Sequence, residues 1–166
     1  MTITRSDRTT NSGRDPEPDT EGLPAPTTER RSDGQHTDHW ILSDEERALG
    51  FVRPVRRSYR HVGLPAPLGL LRDLTDEERA SYGDTWAKFE EFTDGACRGR
   101  FWTQAELDKV GRGCGTVMSM PQKIAETYAA QPHFYGSTFC CGCGGYIAVG
   151  HHGEFVWEGT SERVGT

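Results

Sequence analysis

A chain of 166 residues with a formal net charge of −6 has the length of one modest domain and is too acidic to coat nucleic acid wholesale. Hydrophobic residues make up 34 % before the 20 glycines are counted, enough for a small core, and no apolar run approaches the ~20 residues that span a bilayer. The opening MTITRSDRTT has no apolar h-region, and five cysteines without an export signal point to thiols on a metal rather than disulfides, so a cytoplasmic protein is expected.

Residues 1–38 are rich in Thr, Ser, Asp, Glu, Arg and Pro, and read as a disordered tail that cannot bury enough surface to offset its ordering entropy. Its charges are mixed, so it is no basic nucleic-acid arm; His36 and His39 at its end are expected to be solvated. Order is expected to begin near Trp40. Ser43-Asp-Glu-Glu46, Thr75-Asp-Glu-Glu78 and Thr103-Gln-Ala-Glu106 each have capping-box spacing and open three short helices, the first ending at Gly50 and the third near Val110. Phe51 to Val62 reads as extended, with Pro54 barred from a central ladder position. GLPAPLGLL after it is loop-like. Trp86, Phe89 and Phe92 have helical or mixed spacing, and Gly111, Gly113 and Gly115 break structure around Cys114. Met120 to Ala130 is the clearest helix, with Pro121 in its first turn and Ile124, Ala125, Tyr128 and Ala129 on one face. A strand around Tyr146 to Val149 and a final hairpin follow, its strands Glu154 to Glu158 and Glu162 to Val164.

The chemistry-bearing stretch is Phe139 to Trp157, FCCGCGGYIAVGHHGEFVW. Cys140 and Cys143 stand at C-x-x-C spacing, and glycine at 142 and 144 permits the tight turn that lets both thiolates face one ion. Cys114-Gly115 is a third candidate ligand of the same type. Cys97, His61, His133, Cys141, His151 and His152 compete for the fourth place; His61 at the end of a strand-like segment is well placed, and Cys141 between two ligands is not. Buried cysteines and a hydrogen-bonded core histidine are the bland alternative.

The stretches ILSDEERALGFVRPVRRSYRHVG, CGTVMSMPQKIAETYA, HFYGSTFCCGCGGYIAV and EFVWEGTSERVG resemble a recurrent family of short uncharacterised proteins of bacteriophages and bacteria, over nearly everything from residue 40 onward. The resemblance implies no established activity. In shorter family members the histidine corresponding to His61 lies a few residues before the cysteine corresponding to Cys114, which implies that 63–113 is an insertion and favours a Cys3His zinc site of His61, Cys114, Cys140 and Cys143. The expected fold is α+β: a small zinc-stabilised, zinc-ribbon-like domain over 39–166, with short helices and a C-terminal hairpin.

Three functions could ride on such a site. Arg53, Arg56, Arg57 and Arg60 with Tyr59, joined by Arg112, suggest a basic patch with a stacking platform for nucleic acid, the partner expected first. These arginines could equally pair with the acids at 44–47 and 76–79. Aromatic density, including Trp40, Phe51 and Trp86, would suit protein interaction, and a protein of the phage type that this chain resembles could use such a surface as an adaptor on a host complex. A zinc-dependent hydrolase needs an open metal position with Glu126 or Glu154 as general base. His152-Gly-Glu154 follows a C-x-x-C instead of preceding one, against the deaminase order.

Overall fold

Local sequence decides the helices. In the computed structural model, which describes residues 8–95 and 98–166, Ser43, Thr75 and Thr103 cap α1 (Asp44–Ala48), α2 (Asp76–Tyr82) and α3 (Gln104–Lys109). Each cap hydroxyl accepts from the N–H three residues on, and Glu46, Glu78 and Glu106 return the bond, so two orphan amides per helix are satisfied. The fourth helix, α4 (Gln122–Ala130), follows Pro121, which stands at the cap position itself. None of the helices is long and apolar enough to cross a membrane.

The strands in chain order are β1 (Thr9–Thr10), β2 (Glu17–Pro18), β3 (Pro24–Ala25), β4 (Trp40–Ile41), β5 (Ser58–His61), β6 (Leu70–Arg72), β7 (Trp86–Glu91), β8 (Arg100–Thr103), β9 (Val117–Ser119), β10 (Ser137–Cys140), β11 (Gly145–Ala148) and β12 (Phe155–Trp157). They form small antiparallel sheets, ordered β1-β4, β2-β3, β6-β7-β8, β12-β5-β9 and β10-β11. The protein is thus mixed α+β. It divides into two compact units, one made of the chain up to His61 with Cys114–Thr166, the other of Val62–Gly113.

In the first unit, Tyr59, Met118, Met120, Ala125, Tyr128, Cys140, Phe155, Trp157 and Val164 form one buried cluster. The face of α4 expected to be apolar supplies Ala125, Tyr128 and Ala129 to the interior. Arg47 of α1 is 9 % exposed and tied down on three sides, by Asp44, by Glu126 at 3.2 Å and by the Leu42 carbonyl at 2.9 Å. The expected C-terminal hairpin is present in reduced form: Trp157 N–H donates to Glu162 O, Val164 N–H donates to Phe155 O, and the returning arm keeps a single bridge at Arg163. The N-terminal stretch builds no core among its described residues, where most side chains are exposed. Its two ends nevertheless pack: Thr10 and Asp38 are buried, and both Asp38 carboxylate oxygens accept from Ser12, at 3.1 and 2.7 Å.

The second unit corrects one expectation. Trp86, Phe89 and Phe92 do not stack on a helix; Trp86–Glu91 is the central strand of a meander, with a bulge between Trp86 and Lys88. Pairing on both edges overrides the local spacing: Phe89 meets Phe101 across the ladder at 4.9 Å, and Arg72 caps the Phe89 ring at 4.5 Å. Beside them, Glu90 is a buried carboxylate. It accepts from the Leu68 and Gly69 amides, each at 2.7 Å, and from Trp102 Nε1–H at 2.8 Å, which satisfies it.

Candidate metal centre

The alternation of β5 aims its residues. Ser58 and Arg60 face out, Tyr59 and His61 face in, the period of 2 expected of a half-buried strand. At the end of β5, two residues preceding β9 bond to one: His61 N–H donates to Thr116 O at 3.2 Å and Gly115 N–H to His61 O at 2.9 Å. That pairing sets Cys114 beside the His61 ring. Cys140 closes β10 opposite Gly145 of β11, and the turn between them carries Cys143. Gly144 N–H donates to Cys140 O at 2.8 Å with φ at 69°, a left-handed conformation that favours glycine. Gly142 is needed for a different reason than the expected backbone freedom: a Cβ there would lie 2.2 Å from Thr116 Oγ1 and 2.8 Å from Cys114 Sγ.

Four side chains therefore converge. His61 Nδ1 lies 3.3 Å from Cys114 Sγ, 3.4 Å from Cys143 Sγ and 3.7 Å from Cys140 Sγ, and Cys114 Sγ lies 3.5 Å from Cys140 Sγ. All four ligand atoms fall within 4.8 Å of one another. A tetrahedral ion with bonds of ~2.3 Å to sulfur and ~2.0–2.1 Å to nitrogen holds its ligands about 3.5–3.8 Å apart. The separations given, 3.3–3.7 Å, lie within a few tenths of an ångström of those values, so the group is compatible with a metal ion. His61 and Cys140 are buried, while Cys114 and Cys143 are exposed at the rim.

The thiols ionise unequally. The Thr116 hydroxyl beside Cys114 holds that thiol down to about 6, whereas burial pushes Cys140 up to about 12 and raises Cys143. Glu154 stands out in the sequence only as a candidate general base; its contact with His61 is what the sequence did not reveal. Its Oε2 lies 2.8 Å from His61 Nε2, and it is 8 % exposed. A carboxylate on the far nitrogen fixes the imidazole tautomer, leaving Nδ1 as the lone-pair donor toward the thiols. Glu154 stands 93 residues from His61 in the chain, so only the pairing of Phe155 with His61 brings it there.

The competing ligands lie elsewhere. Cys141 is exposed and its N–H points at Met118 Sδ, 3.2 Å away. His133 and His151 are exposed with their rings 6.2 Å apart, and His152 is exposed too. His36 and His39 pack around Tyr146. Cys97 lies outside the described residues.

Of the residues expected to contact nucleic acid, Tyr59 is in the core and Arg56 and Arg60 are paired with acids. Tyr59 cannot serve as a stacking platform: it is 4 % exposed, and its hydroxyl donates to Phe139 O at 2.8 Å. Arg60 grips Glu158 bidentately at 2.8 and 2.6 Å, and Arg56 pairs with Glu162. Arg57 Nε donates to Met120 O at 3.0 Å and Arg53 Nε to Thr166 O at 3.2 Å. The pairing acids are those of the C-terminal hairpin, not those at 44–47 and 76–79. Arg112 is exposed in the other unit.

No protein-family model, curated protein or solved structure matches the chain.

Proposed function

We propose that the chain is a zinc-stabilised binding module whose closed Cys3His site, His61, Cys114, Cys140 and Cys143, clamps the end of β5, the loop before β9 and the β10–β11 turn. The single observation that carries this reading is a group of four ligand atoms within 4.8 Å of one another whose histidine is backed by a buried carboxylate. Thiolate-rich donor sets suit zinc and other soft or borderline ions, and four protein ligands leave no open position. Glu154 is bonded to the ring nitrogen facing away from the thiols and Glu126 is paired with Arg47, so neither candidate base supports the hydrolase reading.

Of the two partners expected, nucleic acid is the less supported: Tyr59 is in the core, and Arg56 and Arg60 sit on carboxylates. A protein partner, such as a host complex, is favoured by Leu49, Phe51 and Val52, which stand 89, 47 and 65 % exposed in one short run. Thermal denaturation with and without a chelator tests the zinc reading. Sites of this kind contribute about 10–16 kcal/mol, as much as a whole domain's stability. Chelation should therefore collapse the first unit, and a transition indifferent to chelator would overturn the proposal. Titration of DNA and RNA at rising salt tests the partner, with no salt-steep affinity expected.

A further inference from the structure

A second concave site lies in the same unit, away from the four metal-ligand candidates. It is a cavity of about 590 Å³, a size suited to a small molecule. Trp40, Phe134 and Tyr146 give it aromatic walls, and Arg8 and Arg30 give it charge. Among the described residues one acid lines it, Asp38, and both of its oxygens are already engaged by Ser12. Burial first, and Arg30 next, hold His36 below its ordinary value, while burial and then His36 do the same for His39. At neutral pH the imidazoles lining the cavity are therefore neutral, and its positive charge is that of the arginines.

Arg8 supplies the independent observation. Its guanidinium lies over the Phe134 ring at 4.6 Å, and its Nε is buried with no hydrogen-bond partner among the described residues. Buried donors are almost always satisfied, so an orphan beside a cavity marks where an acceptor belongs. Among the described residues the Arg30 guanidinium makes one hydrogen bond, Nη1 to Gly34 O at 3.4 Å, which leaves its other N–H groups for a ligand. Two guanidiniums in a chain of net charge −6 are a local inversion of sign, and guanidiniums match planar carboxylates and phosphates.

We infer that this cavity binds a small aromatic or heteroaromatic molecule bearing one carboxylate or phosphate, its ring against Trp40, Phe134 and Tyr146 and its anion on Arg8 and Arg30. The inference does not rest on the metal site. Calorimetric titration of the full chain with phenylacetate, phenyl phosphate and the neutral 2-phenylethanol tests it. At least one anionic probe should bind saturably and at least about tenfold tighter than 2-phenylethanol. Whichever anion binds more tightly distinguishes a carboxylate ligand from a phosphate one. Arg30→Gln and Arg8→Gln should each lower that affinity by about tenfold, while Arg79→Gln on α2 leaves it unchanged. Far-ultraviolet circular dichroism of each variant, matched to wild type, confirms that the fold is kept. The inference is overturned if neither anion saturates by about 10 mM, if the neutral probe binds as well, or if both arginine variants bind like wild type.

Discussion

Glu154 Oε2 meets His61 Nε2 at 2.8 Å, on the ring edge opposite the nitrogen that faces Cys114, Cys140 and Cys143. The two residues are brought together by the antiparallel pairing of β12 with β5, where Phe155 stands opposite His61. This contact separates a histidine that is merely buried from one that is oriented.

It leads to the first prediction. Glu154→Gln keeps a polar group on Nε2 but removes its charge, which weakens the imidazole as a donor. Zinc affinity, measured by competition with a chromophoric chelator, should fall about 10–100-fold, while the zinc-saturated variant keeps its circular dichroism. An unchanged affinity would show that the carboxylate does not tune the site.

Gly142 tests the packing of the turn. Alanine there drives its methyl into Thr116 Oγ1 and Cys114 Sγ, neither of which is the far end of a flexible side chain. Destabilisation on the order of 1–3 kcal/mol is expected, together with weakened zinc binding. At Gly136 a methyl would meet nothing within 4 Å and φ is not positive, so alanine there should cost little and serves as the control.

Two neighbouring tyrosines should respond in opposite senses. Tyr128 Oη is buried with no hydrogen-bond partner, whereas Tyr135 Oη donates to Trp40 O at 2.6 Å. Tyr128→Phe removes an unsatisfied hydroxyl and should leave the melting temperature level or raised. Tyr135→Phe strands a carbonyl and should cost about 1 kcal/mol. A larger loss in Tyr128→Phe than in Tyr135→Phe would contradict this assignment.

In the second unit, Arg72 grips Glu78 bidentately, both contacts at 2.8 Å, and holds its carboxyl down to about 2 from an ordinary value of 4.5. A carboxyl depressed on folding stabilises above its unfolded value and loses that contribution as pH falls through its folded one. The pair is solvent-screened, so the effect is small. Glu78→Gln keeps the capping box, since glutamine also serves there. Amide exchange in Asp76–Tyr82 should then differ between wild type and variant at neutral pH, and the difference should fade between 4.5 and about 2. A difference that persisted at the acid end would assign the effect to something other than charge.

How far residues alone revealed this molecule depended on distance along the chain. The three capping boxes were legible because Ser43, Thr75 and Thr103 each act on an amide three residues away. The apolar face of α4 was legible for the same reason, its period being local. The strand Trp86–Glu91 was not, because its aromatic spacing fits a helix and only pairing with β6 and β8 decides against it. At the candidate site, the C-x-x-C turn announced itself, and the place of His61 beside Cys114 followed from the resemblance and not from spacing. The pairing of Glu154 with His61 could not be found, since nothing near Glu154 in sequence marks it as the partner of a residue 93 positions away. The acids that pair with Arg56 and Arg60 were not legible either, because Glu162 and Glu158 lie about as far off. The alternation of β5, which buries Tyr59, was available as a signal and would have removed that residue from the basic patch.

Native mass spectrometry of the chain purified from cells, compared with its Cys140→Ser and Cys141→Ser variants, tests the central claim most directly. The account predicts one zinc ion on wild type and on Cys141→Ser, and its loss or sharp depletion in Cys140→Ser. A folded wild-type chain that carries no metal, or a Cys141→Ser chain that loses it, would contradict the account.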